Sequence, residues 1–188
     1  MGRVIVTEFV SLDGVMEAPG GEPGYAHSGW TIPYHDPEQM KYKLDETQAA
    51  QVLLLGRKTY QGFAEAWPEH DDEAGFAQKM NTMPKFVVTT TLTDLEWQNS
   101  TVLPGPIQTS IPRLREEIDG EILVHGSRTL VHSLLRNGLI DELRLMIFPV
   151  ILGSGARIFP DSPDAIALEL VDHRRYASGV AVLTYHPR

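Results

Sequence analysis

Three strand-to-helix junctions in this chain place cations or hydroxyls where an anion can be held. In Leu55-Gly56-Arg57-Lys58-Thr59-Tyr60 a glycine bends the chain, and two cations and a hydroxyl occupy the first turn of a helix. The helix dipole disfavours cations there, so their placement makes sense if an anion shares the site. Solvated basic residues at a helix start are the competing explanation. In Val124-His125-Gly126-Ser127-Arg128-Thr129 a glycine permits close backbone approach, and the N–H groups that open the next helix can receive a phosphate. Here the plainer alternative is Ser127 as an N-cap. The third junction, Val88-Thr89-Thr90-Thr91, offers hydroxyls after a strand, although β-propensity alone also accounts for threonine runs. A further feature, Ser11-Leu12-Asp13-Gly14, is either a substrate-contacting strand end or a common Asp-Gly turn. Trp30, in a long glycine- and proline-rich loop, is a lid anchor or a pocket wall.

The elements that must position these junctions follow from pattern and punctuation. Arg3 to Val10 reads as a first strand, reaching Glu8 before any signal-peptide core develops. The segment from Gly14 to Pro33 is too long for a tight turn, and long loops in compact domains are usually functional. Asp36 can cap a helix whose first residue is Pro37 and in which Met40, Leu44 and Thr47 recur at helical spacing. Gln51 to Leu55, Pro84 to Thr90 and Ile122 to Val124 are apolar strands of the kind covered on both faces. Helices are expected over Arg57 to Trp67 and Phe76 to Met83, around Ile111, Leu114 and Ile118, and around Leu130, Val131, Leu134 and Leu135. Asn99 to Leu103 is a short strand and Leu143 to Val150 a longer one. Leu168 to Tyr176 with Val180 to His186 form an antiparallel hairpin around Ser178-Gly179. Strand-then-helix units imply an α/β fold: a mixed, mostly parallel central sheet with helices on both faces and an antiparallel C-terminal hairpin. With 188 residues and no linker or repeat, residues 1–188 are expected to form a single domain.

Composition narrows the chemistry. The absence of cysteine excludes a thiolate nucleophile, a disulfide framework and Cys-ligated metals, and suits a cytoplasmic location. A net charge of -9 argues against a nucleic-acid partner, and no apolar run approaches a membrane span. Seven histidines without an HExxH pattern give no reason to expect a metal. GxGxxG, Walker and GxSxG signatures are also missing; Gly153-Ser154-Gly155 lacks the third glycine.

Phe9-Val10-Ser11-Leu12-Asp13-Gly14, Leu54 to Tyr60, Lys85 to Thr89, Leu123 to Ser127 and Pro149 to Gly155, taken in order, resemble the dihydrofolate reductase-like superfamily. The resemblance is closest to the branch of the RibD C-terminal reductase domain of riboflavin biosynthesis, and it extends over essentially the whole chain. It implies the dihydrofolate reductase-like three-layer fold, NADPH as cofactor, a small heterocyclic substrate and a homodimer. On this resemblance Gly56, Arg57, Lys58 and Thr59 meet the 2′-phosphate and pyrophosphate, Thr89 and Thr90 lie near the adenosine, and Gly126, Ser127, Arg128 and Thr129 form the second phosphate turn. Serine stands at 127, where the family has a second glycine. Leu12, Gly14 and Trp30 are expected at the substrate.

Substrates of the superfamily share a C=N bond, so a proton source must accompany hydride transfer. Trp30-Thr31-Ile32-Pro33-Tyr34-His35-Asp36 is similar to the Trp-x-x-Pro segment that precedes the family's acid, with one residue more. Asp13 and Asp36 are the candidate catalytic carboxylates, and Glu38 competes with them. Arg157 is a candidate cation for a substrate phosphate. Three activities therefore remain: an NADPH-dependent reductase of the pyrimidine-reductase type, a pterin reductase, and a nucleotide-binding protein without chemistry.

Overall fold

The computed structural model describes residues 1–70, 72, 74–159 and 165–188. Its centre is an eight-stranded sheet built from β1 (Arg3–Ser11), β2 (Ala50–Gly56), β3 (Lys85–Val88), β4 (Ser100–Val102), β5 (Glu121–Val124), β6 (Glu142–Phe148), β7 (Leu168–Arg175) and β8 (Ala181–Pro187), in the order β4-β3-β2-β5-β1-β6-β8-β7. Every neighbouring pair from β4 to β6 is parallel; β8 runs antiparallel to β6, and β7 to β8. The helices between the parallel strands are α1 (Pro37–Ala49), α2 (Arg57–Ala66), α3 (Phe76–Thr82), α4 (Ile107–Glu117) and α5 (Arg128–Arg136).

Strand alternation sends successive side chains to opposite faces, and each face has its own filling. Val4, Val6, Val52, Leu54, Ile122 and Val124 pack with Ile111 and Leu114 of α4 and with Leu130, Val131 and Leu134 of α5. On the other face Ile5, Leu53, Leu55, Leu123 and Val87 pack with Tyr60 of α2 and Met80 of α3. A third cluster, Trp30, Phe148, Tyr176, Val180 and Val182, closes the β6-β8 end. Among the described residues no helix is long and apolar enough to cross a membrane.

The helix at Asp36-Pro37 forms as expected, but its buried face is mostly polar. Of Met40, Leu44 and Thr47 only Thr47 is buried in α1, and Met40 is 49% exposed. The residues turned inward are Gln39, Lys43, Glu46 and Thr47. Tertiary ion pairing has overridden the apolar pattern: Lys43 and Glu46 pair with each other, and Arg144 of β6 reaches Glu46 at 3.1 Å.

Register creates the crevice. β5 ends opposite Val6 of β1, at Val124, whereas β1 continues beside β6 until Ser11 meets Phe148. From Thr7 onward β1 therefore has a strand on one side only. The chain leaving β5 turns off at His125-Gly126, so a notch opens at the carboxyl ends of the strands. In open α/β sheets that is where ligands bind.

Candidate functional site

Two turns converge on the notch. The Gly56 N–H donates to the Gly126 carbonyl at 3.0 Å. A Cβ on Gly56 would stand 2.2 Å from Ser127 Oγ and 2.9 Å from the Ser127 nitrogen, so only glycine permits this contact. A Cβ on Gly126, whose φ is +98°, would stand 2.9 Å from Thr59 Oγ1 and 3.6 Å from Glu8 Oε1. The peptide joining Gly126 to Ser127 is cis. Gly56, Thr59, Gly126, Ser127 and Glu8 thus meet around one point.

The helices that start there are open at their ends. Neither Gly56 at the head of α2 nor Ser127 at the head of α5 supplies a side-chain cap, so Ser127 occupies the N-cap position while its hydroxyl lies against Gly56 instead. The first N–H groups of both helices carry the positive end of the dipole. Arg57, Lys58, Arg128 and Thr129 stand exposed around them, with Arg57 bonded to Gln61 at 3.1 Å. Glycines that leave room, uncapped N–H groups and nearby cations make this a cradle that fits a pyrophosphate. Thr89 is tied down in its own turn, its Oγ1 accepting from the N–H groups of Thr91 and Leu92, and Thr90 is exposed.

The Ser11-Leu12-Asp13-Gly14 segment is a tight turn, with the Gly14 N–H on the Ser11 carbonyl at 2.9 Å. Asp13 accepts from the Ser11 hydroxyl at 2.7 Å and from the Leu152 and Gly153 N–H groups at 3.1 and 2.9 Å. Those bonds, the Ser11 hydroxyl foremost, bring its carboxyl down to about 2. Arg157 donates to the Asp13 carbonyl and faces its carboxylate at 3.8 Å. Held this way, Asp13 is an anion at neutral pH that clamps the β6 exit loop to the end of β1. Arg157 belongs to the same clamp and is not a free cation for a substrate phosphate. Asp36 is also committed, since its carboxylate caps α1 by accepting from the Glu38 and Gln39 N–H groups. The residue inserted before it sets Asp36 at the helix boundary. Trp30 is an anchor, 6% exposed, its ring 5.3 Å from that of Phe148 and its Nε1 donating to the Glu17 carbonyl. Leu12 stands 63% exposed at the mouth, its N–H on the Val150 carbonyl.

The floor of the notch holds residues that periodicity did not single out. Glu8 is 7% exposed, and its Oε1 is buried without a hydrogen-bond partner. Burial pushes its carboxyl up to about 8, with Lys43 opposing and Glu46 adding to the shift. His125, whose Nε2 is likewise buried and unpartnered, is brought by burial to about 3 and is neutral. Lys43 is engaged elsewhere, donating to Thr7 Oγ1 at 3.0 Å and pairing with Glu46. Although burial opposes it, Glu46 is held below its ordinary value chiefly by Lys43, with Arg144 adding to the effect. One signal for this cluster was legible: Glu8 is a charged residue inside Val4-Ile5-Val6-Thr7-Glu8-Phe9-Val10, a run otherwise fit for the sheet centre. Among the described residues no group of three or more His, Asp or Glu could hold a metal.

Comparison with known proteins agrees with this architecture. Residues 3–182 match the family model described as the RibD C-terminal domain. The chain is 29% identical to the uncharacterized protein YyaP of Bacillus subtilis (strain 168), over 98% of this chain and 94% of that protein. A solved structure from Shewanella sp. PV-4, assigned to riboflavin biosynthesis, shares its fold with a TM-score of 0.78 at 20% identity, covering 99% of each chain. Enterococcus faecalis dihydrofolate reductase, solved in complex with NADP(H) and RAB-propyl, is similar with a TM-score of 0.60 at 16% identity, covering 99% of this chain and 96% of that one.

Proposed function

Since this chain belongs to the RibD C-terminal domain family, we propose that it is a reductase that takes NADPH as hydride donor and a small heterocycle with a C=N bond, of the pyrimidine or ribosyl Schiff-base kind, as acceptor. The observation that carries this reading is the contact of the Gly56 and Gly126–Ser127 turns at the heads of two uncapped helices. In it, the first N–H groups of α2 and α5 receive the pyrophosphate. Arg57 and Lys58 meet the 2′-phosphate, and Thr89 and Thr90 border the adenosine.

Bound there, NADPH supplies the hydride; the chain supplies position and a dry surface. Phe9, Trp30 and Tyr34 surround Phe148 with ring centroids 5.4, 5.3 and 5.9 Å away, and this packed aromatic group gives the β1 end a rigid apolar backing. Leu12 and Gly14 border the same end. Asp13, kept as an anion, holds the loop beneath the substrate. The homodimer implied by the family is supported by β7, an edge strand with seven of its eight residues exposed, Leu170 and Val171 among them.

Reversal of two charges tests the cofactor assignment. Arg57→Glu with Lys58→Glu is expected to weaken NADPH by about a hundredfold, roughly tenfold per removed phosphate contact, and NADH far less, as measured by titration calorimetry. Equal weakening of both, or of neither, contradicts the 2′-phosphate assignment. Binding of NADPH with no oxidation by any C=N compound would instead favour a binding protein without chemistry.

A further inference from the structure

The cradle has an acid beneath it. Glu8 rises from β1 into the gap left where β5 turns away, and its Oε1 lies next to the point at which Gly126 and Thr59 meet. The two buried cations packed behind it are already engaged: Lys43 by Thr7 and Glu46, Arg144 by Glu46, Glu142 and Glu121, while Arg57, Lys58 and Arg128 stand exposed at the rim. His125, from the end of β5, is neutral at physiological pH and offers no charge. Glu46, from α1, adds negative charge that opposes ionisation of Glu8. An ionised Glu8 would therefore be an uncompensated carboxylate buried under an anion site, and like charges at short range in a low-dielectric interior repel strongly.

We propose that Glu8 is a positioning residue for the anionic part of the cofactor: it must keep its proton for the Gly56 and Gly126–Ser127 turns to accept a pyrophosphate, so that binding is coupled to one buried proton. This rests on the cofactor reading above. The group acts through the turn, not on the reacting atoms. Near neutral pH the proton is in place, because burial holds it to about 8. Above that the free protein releases it, and the bound form must take it back from solvent.

The test is the dissociation constant of NADPH and of NADH between pH 6.5 and 9.5, for the wild-type chain and Glu8→Gln. Glutamine keeps the shape and cannot ionise. In the wild type, affinity for both nucleotides is expected to be level to about pH 8 and then to fall by up to about tenfold per pH unit, the slope for one linked proton. Glu8→Gln stays level. NADH shares the break because it carries the pyrophosphate and lacks only the 2′-phosphate. Lys85 also sits at about 8, but it is buried at the start of β3, away from the carboxyl ends, and the substitution leaves it unchanged. Calorimetry of the wild type in two buffers of different ionisation enthalpy, which needs no variant, is expected to show uptake of close to one proton on binding near pH 9. A level wild-type profile, a break that persists in Glu8→Gln, or no proton uptake overturns the role of Glu8 and leaves the cofactor reading standing. Failure of both nucleotides to bind at any pH overturns the cofactor reading and this inference together.

Discussion

α1 and α5 lie against opposite faces of one sheet and bury opposite chemistries. α5 turns Leu130, Val131 and Leu134 inward, and nothing polar accompanies them. α1 turns Gln39, Lys43, Glu46 and Thr47 inward, and its contacts are ion pairs and hydrogen bonds. The apolar interface gains free energy with every contact. The ionic one recovers in pairing what desolvation costs, and it holds charges and protons in place beside the crevice. Stability and the tuning of the site are thus assigned to different faces.

Breaking each side should have different consequences. Removing Glu46 as Glu46→Ala strands Lys43 in the interior, while Arg144 keeps Glu142 and Glu121, and is expected to cost about 3–5 kcal/mol by chemical denaturation. The double replacement Lys43→Met with Glu46→Leu should recover much of that loss, as an uncharged interface of similar volume. On the other face Leu134→Ala is expected to cost about 2–5 kcal/mol through its cavity, with no rescue by a neighbouring substitution of charge. If both single variants behaved alike toward such rescue, the contrast between the faces would be wrong.

The smallest effect is the most specific. Glu8 sits at about 8 in the folded protein against an ordinary value of 4.5, so the native state keeps a proton that the unfolded chain has released. Stability from this group is therefore complete below about pH 4.5 and is lost as pH rises toward 8. Glu8→Gln has no such dependence. Its melting temperature relative to wild type should climb between pH 5 and pH 8.5, by on the order of 5 °C. A constant difference across that range would mean that Glu8 titrates normally.

Much of the scaffold was legible because its signals are local. Apolar runs at Val52 to Leu55 and Ile122 to Val124, the Asp36-Pro37 helix start and the Ser178-Gly179 hairpin each declare themselves within a few residues. The cradle was half legible: glycine-led turns at Gly56 and Gly126 are visible in the chain, but their contact is not. The surroundings of Asp13 and Asp36 were not legible, because by position alone both look only like candidate acids. What they do depends on N–H groups supplied from Leu152, Gly153, Glu38 and Gln39.

Periodicity and turn chemistry are enough to dictate the order of strands and helices, the parallel core and the two glycine turns, since these depend on backbone propensities and on which residues avoid water. The burial of Glu8, the inward charges of α1 and the clamp made by Asp13 arise only when β1, α1 and the β6 exit are packed together. A carboxyl's proton affinity is set by the dielectric and the charges around it, and those come from residues as distant in sequence as Lys43 and Glu46.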